Sequence, residues 1–125
     1  MEKLDNAILL VEDNDPIILL FQHLIKKAGF ALTVCKTGVA ALDWMKNNVP
    51  SIVLLDISLP DISGEEIFKK MKEMEHYKGV PAIAVTAIAR QGDKEKYLEM
   101  GFDGYIPKPI NNETFVSQIQ QFIKK

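Results

Sequence analysis

Five short apolar runs constrain this chain more than any other feature: Ala7–Val11, Phe30–Cys35, Ile52–Leu55, Ala82–Val85 and Gly104–Ile106. A segment with helical character follows each of them. The first, third and fourth runs are continuously apolar and do not alternate, which implies burial on both faces. Strands of a parallel sheet covered by helices read in this way.

The helical segments have recognisable starts and stops. The first opens at Asp15-Pro16, a capping residue followed by a proline suited to a first turn. Ile17, Leu20 or Phe21, Leu24 and Ala28 then fall at helical spacing, and Gly29 stops the run. The second begins near Thr37 and carries Val39, Leu42 and Met45; the third follows Gly64 with Ile67, Phe68 and Met71. The fourth runs from about Gly92 to Met100 with Gly101 as its stop, and the fifth begins after Asn111 with Phe115, Ile119 and Phe122. Strict βα alternation specifies a doubly wound α/β sandwich with right-handed crossovers. At 125 residues the expected form is a flavodoxin-like (βα)5 domain spanning 1–125, with parallel strand order 2-1-3-4-5.

Composition excludes several functions. The net charge is −2 and the 15 basic residues are dispersed, so no basic stripe suits nucleic acid. No run approaches the roughly 18 apolar residues of a membrane span, and Met1–Asn6 lacks a signal-peptide pattern. A cytoplasmic protein is expected. Cys35, the one cysteine, reads as a buried structural thiol. His23 reads as a surface or half-buried helix residue, His76 as part of a charged loop, and Trp44 as partly packed.

In sheets of this kind the binding crevice lies at the carboxyl ends of the strands. The first strand ends in Glu12-Asp13, the third in Asp56 and the fourth in Thr86, and Lys108-Pro109 follow the fifth. Taken alone, each is an ordinary turn, cap or strand end. Together they bring three carboxylates, a hydroxyl and an ammonium to one edge. Carboxylates so placed repel one another and resist burial. A hard divalent cation relieves both costs, and Mg²⁺ takes one or two carboxylates, waters and phosphate oxygens. The set suits Mg²⁺-assisted phosphoryl transfer to a carboxylate nucleophile, with Thr86 and Lys108 donating to the phosphoryl oxygens.

Four segments carry a resemblance that covers essentially the whole chain. They are Leu9-Leu10-Val11-Glu12-Asp13-Asn14, the stretch from Leu54-Leu55-Asp56-Ile57-Ser58 through Leu59-Pro60-Asp61-Ile62-Ser63-Gly64, Ala84-Val85-Thr86-Ala87, and Tyr105-Ile106-Pro107-Lys108-Pro109. In order and spacing the sequence resembles the response-regulator receiver family of two-component signalling. The resemblance implies that Asp56 is the phosphoacceptor, served by a histidine kinase or histidine phosphotransfer protein. Asp13 would bind Mg²⁺ directly and Glu12 directly or through water, with the Ser58 carbonyl as a further ligand. Thr86 would be the switch hydroxyl and Tyr105 the aromatic switch. Lys108 would pair with the phosphoryl group, with a cis peptide before Pro109. The fourth helix, fifth strand and fifth helix would meet a downstream protein, in a monomer or weak dimer that catalyses only its own phosphorylation and dephosphorylation. Output would pass through protein contacts or through a domain beyond this sequence.

Glu12 stands where the chemotaxis-type members commonly have Asp, and metal binding should survive. Ser58 and Ile88 occupy positions thought to tune loss of the phosphoryl group to water. Ile88 offers no polar group, so slow self-dephosphorylation is expected, and a phospho-form lifetime of seconds would count against it. Val85-Thr86-Ala87-Ile88-Ala89 with Gly92-Asp93 is also similar to receivers of hybrid histidine kinases and to stand-alone cell-cycle regulators. Two other classes fit less well. A haloacid-dehalogenase-type phosphotransferase would place a second Asp two residues after the first, where this chain has Ser58. A flavodoxin-like cofactor carrier would have a glycine-rich first loop in place of Glu12-Asp13-Asn14-Asp15, and a degenerate, unphosphorylated binding module would lack Asp56 or Lys108.

Overall fold

The computed structural model describes residues 3–87 and 90–123. Its sheet has five parallel strands, β1 (Ala7–Val11), β2 (Ala31–Cys35), β3 (Ile52–Asp56), β4 (Ala82–Thr86) and β5 (Gly104–Pro107), in the order 2-1-3-4-5. Helices α1 (Asp15–Lys27), α2 (Gly38–Met45), α3 (Gly64–Lys72), α4 (Asp93–Met100) and α5 (Phe115–Ile123) alternate with them. The expected architecture and strand order are both present.

Continuous apolarity in the central strands has its explanation in the two cores. Leu9, Val11, Val53, Leu55, Ala82 and Ala84 point to one face and pack with Ala41, Met45, Ile67, Phe68, Met71 and Tyr97 of α2, α3 and α4. Ile8, Leu10, Ile52, Leu54, Ile83 and Val85 point to the other, against Ile18, Phe21 and Ile25 of α1 and Phe115 and Ile119 of α5. Successive strand residues face opposite ways, so a strand covered on both sides must be apolar throughout. Every residue of β3 and β4 is buried, whereas the edge strands β2 and β5 are partly exposed. Phe21 and Phe115 join α1 to α5 by ring stacking at 4.8 Å between centroids.

Several local expectations shift. Asn14, not Asp15, caps α1, its Oδ1 accepting from the Ile17 N–H at 3.1 Å; Asp15 and Pro16 lie inside the first turn. The buried face of α1 is Ile18, Phe21 and Ile25; of the stripe expected at Ile17, Leu20 or Phe21, Leu24 and Ala28, Phe21 enters the core and the others are half-buried. In α2 the core contacts are Gly38, Ala41 and Met45, while Val39 is 62% exposed. The strand expected from Phe30 starts at Ala31, and α5 starts at Phe115 after a turn in which Asn111 Oδ1 accepts from the Glu113 N–H at 2.9 Å.

His76 belongs to a 3₁₀ turn, Glu75–Tyr77, with its Nε2 2.7 Å from the Met45 carbonyl. Its neighbour Tyr77 is fully buried and donates to the Asn48 carbonyl at 2.6 Å, tying the end of α2 to the segment after α3. Cys35 is buried, Trp44 partly packed and His23 exposed, in line with expectation. No helix among the described residues is long and apolar enough to cross a membrane.

Candidate functional site

Register decides which side chains meet. Val11 lies opposite Leu55, so Glu12 and Asp13 emerge beside Asp56; Asp56 lies opposite Val85, so Thr86 projects one residue further on. Thr86 lies opposite Pro107, and the Lys108 N–H donates to the Thr86 carbonyl at 2.8 Å. All five residues therefore gather at the carboxyl edge of the sheet.

Glu12 is 1% exposed, Asp56 4% and Thr86 2%, whereas Asp13 is open to solvent. Carboxylate oxygens of Glu12, Asp13 and Asp56 lie within 4.8 Å of one another. Lys108 Nζ donates to Glu12 Oε1 at 2.5 Å and stands 3.7 Å from Asp56 Oδ1. The second Glu12 oxygen accepts from the Asn14 N–H at 3.2 Å, and Asp56 Oδ1 accepts from the Ser58 N–H at 3.1 Å. The Lys108–Pro109 peptide is cis, as expected.

This edge carries more negative charge than its one ammonium can balance. Burial, and then the nearby Glu12 carboxylate, push the Asp56 carboxyl up to about 6, against the opposing pull of Lys108 and the Ser58 N–H. The remedy such a set calls for is a second, hard cation: all the donors are oxygens, two of the three carboxylates are buried and the third opens to solvent, where retained waters fit. Those are the preferences of Mg²⁺. The residues fit the ion.

The loop after β3 is fixed tightly beside the site. The Gly64 N–H donates to the Ile57 carbonyl at 3.0 Å. A Cβ on Gly64 would stand 2.4 Å from the Asp56 carbonyl oxygen, so only glycine fits this approach. Asp61, for which the sequence suggests no role, bonds across to α2: Oδ1 accepts from the Gly38 N–H at 2.9 Å and Oδ2 from the Val39 N–H at 3.0 Å.

Tyr105 is half-buried on β5, its ring near-parallel to that of Tyr97 on α4 at 5.9 Å, and its buried hydroxyl has no hydrogen-bond partner among the described residues. Ile88 lies outside the described residues. Beside Lys108, Ile17, Leu20, Phe21, Pro109 and Ile110 line an apolar cavity of about 350 Å³ between α1 and the β5–α5 loop.

Known proteins resemble this chain in sequence and in fold. The profile of the response regulator receiver domain matches residues 8–120. The polar-differentiation response regulator DivK of Brucella ovis is 37% identical over 117 residues, covering 94% of this chain and 95% of DivK. A putative response regulator from Chloroflexus aurantiacus superposes with a TM-score of 0.90 over 98% of this chain and all of its own; at 23% identity that likeness speaks for the fold. The receiver domain of sensor histidine kinase PA1611 from Pseudomonas aeruginosa, solved with a magnesium ion coordinated in the active site cleft, superposes with a TM-score of 0.87 at 29% identity over 98% of this chain and 100% of that one. With its profile match, its near full-length relative and its strand-end constellation, the chain belongs to the response regulator receiver domain family of two-component signalling.

Proposed function

We propose that this chain accepts a phosphoryl group on Asp56, in a Mg²⁺-dependent reaction, from the phosphohistidine of a kinase or phosphotransfer protein. The observation that carries the reading is the meeting of a buried Asp56 with two further carboxylates and the Lys108 ammonium, 3.7 Å away, at one strand edge. An Asp56 oxygen attacks phosphorus, the bond from phosphorus to the donor imidazole nitrogen breaks, and the electron pair stays on that nitrogen. Asp13, Asp56, the Ser58 carbonyl and Glu12 hold Mg²⁺, which when bound neutralises charge on the carboxylates and the phosphoryl oxygens. Lys108 swings from Glu12 to the phosphoryl group, and Thr86 donates to a second oxygen. The magnesium in the PA1611 receiver supports the choice of ion.

The domain is a switch and not an enzyme acting on other substrates. Tyr105 turns as Thr86 moves, and α4, β5 and α5 present the change to a protein target. Leu98, 40% exposed on α4, and a cleft lined by Lys94, Tyr105, Gln118 and Phe122 give that face both apolar and polar contacts. The presence of both Asp56 and Lys108 favours this reading over an unphosphorylated binding module. Incubation with labelled acetyl phosphate tests it. Label that requires Mg²⁺ and is released by hydroxylamine is an acyl phosphate; hydroxylamine-stable label would place the phosphoryl group on a hydroxyl and refute the assignment.

A further inference from the structure

Asp61 stands out because an exposed carboxylate would be well solvated by water alone, yet both its oxygens are spent on another element. The residues it bonds, Gly38 and Val39, lie 23 and 22 positions away in the first turn of α2. Helix α2 already has a local cap, since Thr37 Oγ1 accepts from the Ala40 N–H at 3.1 Å. Asp61 thus takes first-turn N–H groups that water would otherwise serve, and these two donors, Gly38 foremost, hold its carboxyl below the usual range. The approach is close: a Cβ on Gly38 would stand 2.8 Å from Ile67 Cδ1 and 3.0 Å from Cβ of Ile62, the residue after Asp61.

The consequence falls on Ser58. Its loop is closed at the base by Gly64 on the Ile57 carbonyl and tied further along by Asp61 on α2. Between these two fixings, the Ser58 N–H holds Asp56 Oδ1 at 3.1 Å. Groups that orient a metal's ligands are commonly worth about 10- to 100-fold in its affinity.

We propose that Asp61 is a positioning residue: by latching the phosphoacceptor loop to α2, it holds the Ser58 backbone where it orients Asp56 and completes the Mg²⁺ site. The inference rests on the Mg²⁺-dependent reading above. Asp61→Ala, Asp61→Asn and Thr37→Ala, each in the whole chain, separate positioning from capping. Thr37→Ala removes a cap from the same helix without touching the loop. Amide hydrogen exchange is measured in EDTA, with Leu54 and Leu55 reporting global stability, and Mg²⁺ affinity is measured by calorimetry.

Asp61→Ala should speed exchange at Ser58 and Gly64 about tenfold beyond the global change and weaken Mg²⁺ binding by about tenfold. Asp61→Asn, which keeps one acceptor, should fall between Ala and wild type; should the alanine variant fail to fold, this graded loss decides. Thr37→Ala should leave both readouts at wild-type values despite a similar loss of stability. If the Asp61 variants move loop exchange and Mg²⁺ affinity no further than Thr37→Ala does, Asp61 is a helix cap only and the proposal falls. If wild-type protein binds no Mg²⁺, the metal-dependent reading fails with it, and loop exchange alone decides whether the latch exists.

Discussion

In metal-free protein Asp56 should be a liability, and replacing it with Asn should stabilise the fold. Its carboxyl is pushed from 3.8 up to about 6 by burial and by Glu12. A raised native value means that the folded state holds its proton more tightly than the unfolded state does. Stability is therefore greatest below the unfolded value and is lost as pH rises through the native one. At about 1.4 kcal/mol per unit, the full loss approaches about 3 kcal/mol above pH 7, and about 1 kcal/mol of it is already present at pH 4.5. Asn is neutral, keeps an oxygen for the Ser58 N–H, and leaves Lys108 paired with Glu12. Urea denaturation followed by circular dichroism in EDTA should then show Asp56→Asn about 3 kcal/mol more stable than wild type at pH 8. The gap should shrink to about 1 kcal/mol at pH 4.5 and nearly vanish at pH 3. In thermal melts the pH 8 gap corresponds to roughly 10 °C for a chain of this length. Saturating Mg²⁺ should close most of it by stabilising the wild type, by about 3 kcal/mol at a hundredfold excess over Kd. A variant no more stable than wild type at pH 8 in EDTA, or a gap that widens on acidification, would refute the reasoning.

Other perturbations have defined outcomes. Lys108→Ala leaves the buried Glu12 carboxylate without its ammonium and should lower metal-free stability by about 3 kcal/mol in denaturant titrations at pH 8, with partial recovery in Mg²⁺. Gly64→Ala forces a methyl group against the Asp56 carbonyl oxygen and should cost about 2–3 kcal/mol while slowing phosphorylation by acetyl phosphate. Tyr77→Phe orphans the Asn48 carbonyl and should cost about 1–2 kcal/mol with the phosphorylation rate unchanged. Tyr105→Phe removes a buried hydroxyl that has no partner among the described residues, so the melting temperature should hold or rise; a clear fall would show that the hydroxyl is bonded.

The sheet and its site could be read from the sequence because burial leaves little choice there. Strands covered on both faces must be apolar throughout, so the first polar residues after Val11, Leu55 and Val85 mark one edge of the molecule. Helix faces were harder. Ile17-Ile18-Leu19-Leu20-Phe21 is apolar all round, so spacing alone does not say that Ile18 and Phe21 enter the core while Leu19 is 66% exposed. In α2 the buried positions are small, Gly38 and Ala41, because the helix packs close; hydrophobicity favours Val39, which faces outward. Asn14 and Asp15 are equally good caps by chemistry, and only the backbone decides between them. The bonds of Asp61 to α2 and of Tyr77 to Asn48 span 22 to 29 residues, and no local pattern announces them.

Intact mass spectrometry after incubation with acetyl phosphate, in Mg²⁺ and in EDTA, beside the Asp56→Asn variant, addresses phosphorylation at Asp56 most directly. A single phosphoryl adduct should form on the wild type in Mg²⁺ alone and be absent from the variant. Folded, Mg²⁺-bound wild-type protein that gains no adduct, or an Asn variant that gains the same one, would contradict Asp56 as the phosphoacceptor.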